Sequence, residues 1–178
     1  MYKRQEVNYH PIEASVVEQE KGWTASDFEY IEIQNISNED LELTNLRFTK
    51  GIDFDFKPGS IIKTGEYLLI VRNRVALESR YGAGLPIAGE WEADNKLDNA
   101  GENIKLSFGA GTPIIEVTYD DKEPWPISAD GDGFTLNLTD PKNVSQENHG
   151  EANNWYSGVA SPGSEGGNAA LTFNICIR

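Results

Sequence analysis

One cysteine, two histidines and no long apolar run are the shortages of this chain, and each closes off a class of function. Cys176 has no second cysteine to pair with, so no disulfide forms within the chain. With only His10 and His149 beside it, a zinc site built on Cys and His is excluded as well. No stretch approaches the roughly 18 apolar residues that a helix needs to cross a bilayer. Positive charge is also scarce. Lys and Arg number 15 against 29 Asp and Glu, giving a net charge of −14, which disfavours nucleic acid and anionic lipid, both of which need cations against phosphate. Arg72, Arg74 and Arg80 come closest to a basic cluster, but Glu78 interrupts them and the group reads as a solvated helix face.

Motifs of catalysis are missing too. There is no Gly-x-Ser-x-Gly elbow, and neither histidine has a recognisable Ser or Asp partner. Gly109-Ala110-Gly111 reads as a hairpin turn, with no helix start behind it to cradle a phosphate. The N-terminus MYKRQEVNYHPI has the charges of a signal peptide's first region but no apolar region after it. MYKRQ at the start and ICIR at the end resemble translated adaptor sequence. Residues 1–6 and 167–178 are therefore expected to be disordered or non-native, and the chain to be a fragment, with any export signal or neighbouring domain outside it.

What is present is the writing of short strands. Runs of Tyr, Phe, Ile and Leu between residues 28 and 71 are broken every few positions by Asn, Gly, Pro or Asp. The pattern predicts an entering strand over 7–17, a polar loop over 18–27 around Trp23, and core strands over 28–35, 41–48, 54–56 and 65–71. One short helix is expected over 74–81, with Asn73 as its cap, Leu77 and Tyr81 on one face and Gly82 at its end. Residues 83–101 read as loop, and strands resume over 102–108, 113–120 and 134–139. A last ordered piece surrounds Trp155, before Ser161-Pro162-Gly163. The fold class is all-β, a single sandwich domain over 7–166.

In order along the chain, several pieces resemble the lamin-tail domain, bacterial type. They are VNYHPI at 7–12, EYIEIQN at 29–35, the stretch 41–73, LDNAGENIKLSF at 97–108, VTYDDKEPWP at 117–126, ADGDGFTLNLTDP at 129–141 and NNWYSGVASPGSEG at 153–166. One departure is Asn45-Leu46-Arg47-Phe48, where members often carry a Gly-Trp pair. The resemblance implies an immunoglobulin-like β-sandwich acting as a noncatalytic interaction or tethering module of a larger exported or cell-surface bacterial protein. Glu32, Asn35, Gly101, Trp125 and Trp155 inherit structural roles only. Some relatives are linked to DNA, which the charge of −14 opposes here.

Four features invite chemistry. Asp120, Asp121, Asp130 and Asp132 are hard oxygen ligands in two neighbouring loops and form the candidate calcium set; no other cofactor is expected. The spacing after Asp130 breaks the EF-hand rule, because Thr135 and Pro141 stand where Gly and Glu are needed, so a turn using Asp and Gly is the plainer reading. Trp23 and Trp91 lie in polar loops and are the candidates for exposed platforms that bind a protein or sugar partner, which makes a carbohydrate-binding module the alternative function. Trp125 and Trp155 are expected in the core. Glu90, Glu92 and Asp94 around Trp91 read as a solvated acidic loop, and Glu32 as a residue that points outward or bonds turn amides.

Overall fold

Alternation decides the layers. Ile31 and Ile33 turn to one side of their strand and Tyr30 and Glu32 to the other, yet all four are buried, so this strand must be covered on both faces. The computed structural model, which describes residues 2–92 and 94–164, shows how. Its elements are β1 (Tyr2–Asn8), α1 (Val16–Glu20), β2 (Tyr30–Asn35), β3 (Leu41–Glu42), β4 (Leu46–Lys50), β5 (Phe54–Asp55), β6 (Ile61–Ile62), β7 (Tyr67–Val71), α2 (Arg74–Tyr81), β8 (Ile87–Glu90), β9 (Asn103–Phe108), β10 (Thr112–Thr118), β11 (Phe134–Leu138) and β12 (Trp155–Val159). The fold is all-β and sandwich-like.

One sheet has six strands in the order β12-β11-β1-β2-β7-β8, the other four in the order β10-β9-β4-β5, and β3 and β6 form a separate pair. The main core lies between the layers. Val7, Ile31, Ile33, Ile70, Leu136 and Leu138 come from the larger sheet and meet Leu46, Phe48, Ile104, Leu106, Ile115 and Val117 from the smaller. The outer face of the larger sheet carries a second, smaller core in which Tyr30, Leu69 and Val71 pack against Leu77 of α2. The helix forms where it was expected. The Asn73 side chain accepts from the Ala76 amide, and Gly82 ends the helix at φ +102°.

Four expectations are corrected. First, β1 spans Tyr2–Asn8 rather than 7–17, so residues 2–6, expected to be disordered, pair with β2 from Tyr2 onward. Glu6 in that stretch has no solvent exposure. Residues 167–178 lie outside the described residues. Second, there are two α-helices among the described residues, not one. α1 is nucleated by a reciprocal capping box in which the Ser15 hydroxyl receives the Glu18 amide while the Glu18 carboxylate receives the Ser15 amide. Third, the stretch read as loop after α2 holds β8, which pairs in parallel with β7 across the α2 crossover. Fourth, Arg80 is no member of a solvated face. Its guanidinium makes two 2.9 Å hydrogen bonds to Glu18 and lies 3.2 Å from the centre of the Phe28 ring, stapling α2 to α1.

Candidate functional site

The polar residues of β2 and its approach come first, because buried acids are where chemistry is usually sought. Glu29 is fully buried, and its Oε2 accepts from the Leu97 amide at 2.9 Å. Burial is the main force on its carboxyl and pushes the pKa up to about 7, with the Leu97 amide, Ser26, Arg72 and Lys96 pulling the other way. Glu32 is fully buried on the outer face and accepts from the Gly163 amide at 2.6 Å. It therefore bonds turn amides as expected, but does not point to solvent. Asn35, also buried, donates to the carbonyls of Glu39 and Ile62 and accepts from the amide and hydroxyl of Ser37. Beside Glu32 and directly across from it in register stands Glu6. Its carboxylate receives the Tyr30 hydroxyl, the Thr135 hydroxyl at 3.1 Å, and the amide and hydroxyl of Ser161, each at 3.1 Å. Each of these groups holds a loop or a neighbouring strand in place.

The tryptophans divide differently from expectation. Trp91 is 3 % exposed and belongs to the main core, with its indole N–H donated to the Asn95 carbonyl at 3.1 Å, so it offers no platform. The acids around it explain the misreading: they are loop residues, while the ring between them turns inward. Trp23 is half-buried, edge-on to Phe28, and has the Lys21 ammonium 4.6 Å from its ring centre. Trp125 and Trp155 both belong to the main core, their tilted rings 6.0 Å apart.

The aspartates of the candidate calcium set converge only partly. The charges of Asp130, Asp121 and Asp120 all bear on the Tyr9 hydroxyl and, with burial as the larger cause, raise its pKa. That hydroxyl is buried without a hydrogen-bond partner, and the Tyr9 ring lies 4.5 Å from that of Tyr119. Asp130 is already paired with His10 at 2.5 Å, and Asp132 is solvent-exposed. Among the described residues no group of three or more His, Cys, Asp or Glu side chains could hold a metal ion. The four aspartates are therefore not a single ligand set.

Open concavities occur elsewhere, and sequence reasoning did not find them. One cleft of about 510 Å³ sits at the end of the larger sheet where the loops after β2, β6 and β11 meet. Gln34, Asn38, Thr64, Thr139, Lys142 and Tyr156 line it, a mostly uncharged set on a chain of net charge −14. Another cleft, of about 600 Å³, opens between the edge strands β5 and β8 and is walled by charge of both signs, including Arg47, Arg74, Asp55, Glu90 and Glu92. Both are built from loops and sheet edges far apart in sequence, so no local motif announces them. No helix of the described residues is long and apolar enough to cross a membrane. Compared with known proteins, the chain matches no family model, no curated protein and no solved structure.

Proposed function

We propose that this chain is a noncatalytic interaction module of the lamin-tail type, with an immunoglobulin-like sandwich, carried by a larger exported or cell-surface bacterial protein. The observation that carries the reading is the engagement of its buried acids. Glu6, Glu29 and Glu32 each receive a backbone amide of a distant loop or strap, and none of them lines either of the two clefts described above. What remains open to a partner is loop surface. The net charge of −14 supports a protein or polysaccharide partner rather than a nucleic acid. The resemblance supports an exported parent protein.

A second reading is a carbohydrate-binding module. The mostly uncharged lining of the 510 Å³ cleft favours it, with the half-buried Tyr156 ring beside the amides of Gln34 and Asn38. Trp91 cannot serve as the platform, so the aromatic surface moves to Tyr156. Two measurements test these readings. The purified chain is assayed against hydrolase and esterase substrate panels, and turnover abolished by Glu29→Gln or Glu32→Gln overturns the noncatalytic reading. On a glycan array, binding lost in Tyr156→Ala supports the carbohydrate reading, and silence across a broad array removes it.

A further inference from the structure

Residues 94–98 are attached to the rest of the chain at a small number of points. The Asn95 carbonyl receives two donors, the Trp91 indole N–H at 3.1 Å and Arg72 Nη1 at 3.0 Å. Leu97 inserts its side chain into the main core, and its amide is held by Glu29. Arg72 Nη1 also stands 4.0 Å from Glu29 Oε2. One carboxylate with no exposure to water thus faces, across a single cluster, the loop backbone and the arginine that grips the same loop.

We propose that Glu29 is a pH-responsive tether, which holds residues 94–98 firmly when protonated and loosely when ionised. The Leu97 amide and Arg72 both favour the ionised carboxylate, but burial outweighs them, so charge on Glu29 favours an opening of the loop that lets water reach it. The groups facing Glu29 are Ser26 from the turn before β2, Arg72 from the end of β7, Lys96 from the loop, and Tyr119 from the segment after β10, which itself bonds Glu102 at 3.2 Å. The charge of Arg72 also bears on Asp27. Burial sets the range in which Glu29 exchanges its proton, around neutrality rather than the usual acid range.

The test is an NMR titration of the full chain, following the Leu97 amide and the Trp91 indole N–H between pH 5 and 9. Both are expected to shift together with one midpoint near 7, and Glu29→Gln is expected to flatten both curves. Arg72→Gln, which leaves Glu29 in place, is expected to raise the shared midpoint, because a stabilising positive charge is gone. His10→Asn, in the other loop cluster, is expected to change nothing. A flat wild-type Leu97 curve overturns the proposal, as does a titration that survives Glu29→Gln, ignores Arg72→Gln or follows His10.

Discussion

Glu6 is the residue whose removal is expected to cost the most for its place in the sequence, six positions from the start and outside the resemblance. Its carboxylate receives four hydrogen bonds, from Tyr30, from Thr135 and two from Ser161. Replacement by alanine leaves these donors in unequal positions. Tyr30 is fully buried and has no water to turn to, so its hydroxyl bears a desolvation cost of about 1–3 kcal/mol. Thr135 can fall back on the Gly158 carbonyl at 3.2 Å. Ser161 is half-buried and recovers part of its loss from solvent, leaving about 1 kcal/mol for the two bonds together. The cavity left by the removed methylenes adds about 1 kcal/mol more. The sum is on the order of 3–5 kcal/mol, a large share of the roughly 5–15 kcal/mol of a typical domain. Urea unfolding followed by tryptophan fluorescence reads this directly. Glu6→Gln keeps an acceptor for Tyr30 and is expected to lose about half as much. A double-mutant cycle with Tyr30→Phe is expected to give a coupling of about 1–3 kcal/mol. If Glu6→Ala unfolds within about 1 kcal/mol of the wild type, β1 is not the anchored strand described above.

Glu29 gives a stability that depends on pH with a defined sign. Its folded pKa, about 7, lies above the ordinary 4.5, so the folded chain keeps a proton that the unfolded chain has released between those values. Its contribution is full below pH 4.5 and declines by roughly 3 kcal/mol as pH rises to about 7, at about 1.4 kcal/mol per pH unit. The difference in urea midpoint between wild type and Glu29→Gln should therefore change between pH 5 and pH 8, and a constant difference refutes the linkage. Gly101 sits at φ +102°, and a Cβ there would lie 2.5 Å from the Tyr119 carbonyl oxygen, so Gly101→Ala is expected to lose about 2–4 kcal/mol. Gly59→Ala, at φ +78° with open space around it, is the control and should lose about 1 kcal/mol. Arg80→Ala removes both the paired bonds to Glu18 and the stacking on Phe28 and should cost about 1–3 kcal/mol in thermal or urea unfolding. In the same variant the Glu18 carboxyl, held near a pKa of about 2 chiefly by Arg80, should return toward the ordinary carboxylate range, which carboxyl NMR measures.

The parts of the fold that the sequence announces are those whose signals are local. α2 is bounded by a capping Asn73 and a terminating Gly82, both of which act within one turn of the helix, and the structure places it over Arg74–Tyr81 as read. β7 and β11 are short runs of strand-forming residues between turn residues and also fall where expected. Most of the misreadings depend on distant partners. Val16 and Val17 are β-branched and favour strand, yet the Ser15–Glu18 box starts a five-residue helix that the bidentate contact with Arg80, 62 residues on, holds in place. β8 contains Ala88 and Gly89, poor strand formers, and exists because β7 offers a free edge after the α2 crossover. Trp91 looks exposed among acids, but whether a loop aromatic turns inward depends on the Asn95 carbonyl and the core opening it meets. Asp120, Asp121 and Asp130 do approach one tyrosine hydroxyl from two loops; their distances, which decide whether an ion fits, are set by loop closure and not by spacing in the chain.

The acids that look most like catalytic machinery in EYIEIQN turn out to sort three loops. Glu29, Glu32 and Asn35 stand three apart, and a strand alternates every two, so they cannot share one face. Glu29 lies before β2 and takes the Leu97 amide; Glu32 on the outer face takes the Gly163 amide; Asn35 at the strand's end takes the carbonyls of Glu39 and Ile62. Buried polar groups of this kind are costly unless every one finds a partner, so each effectively selects the loop conformation that brings one. Side chains in and just before a central strand can in this way specify the positions of three surface loops while staying buried themselves. The outward residues of those loops are then free to vary, because their anchoring is backbone to β2 side chain and independent of what they present. Substitution at an outward position such as Asn38 would change what the loop after β2 presents and leave the Asn35 anchor of that loop as it is.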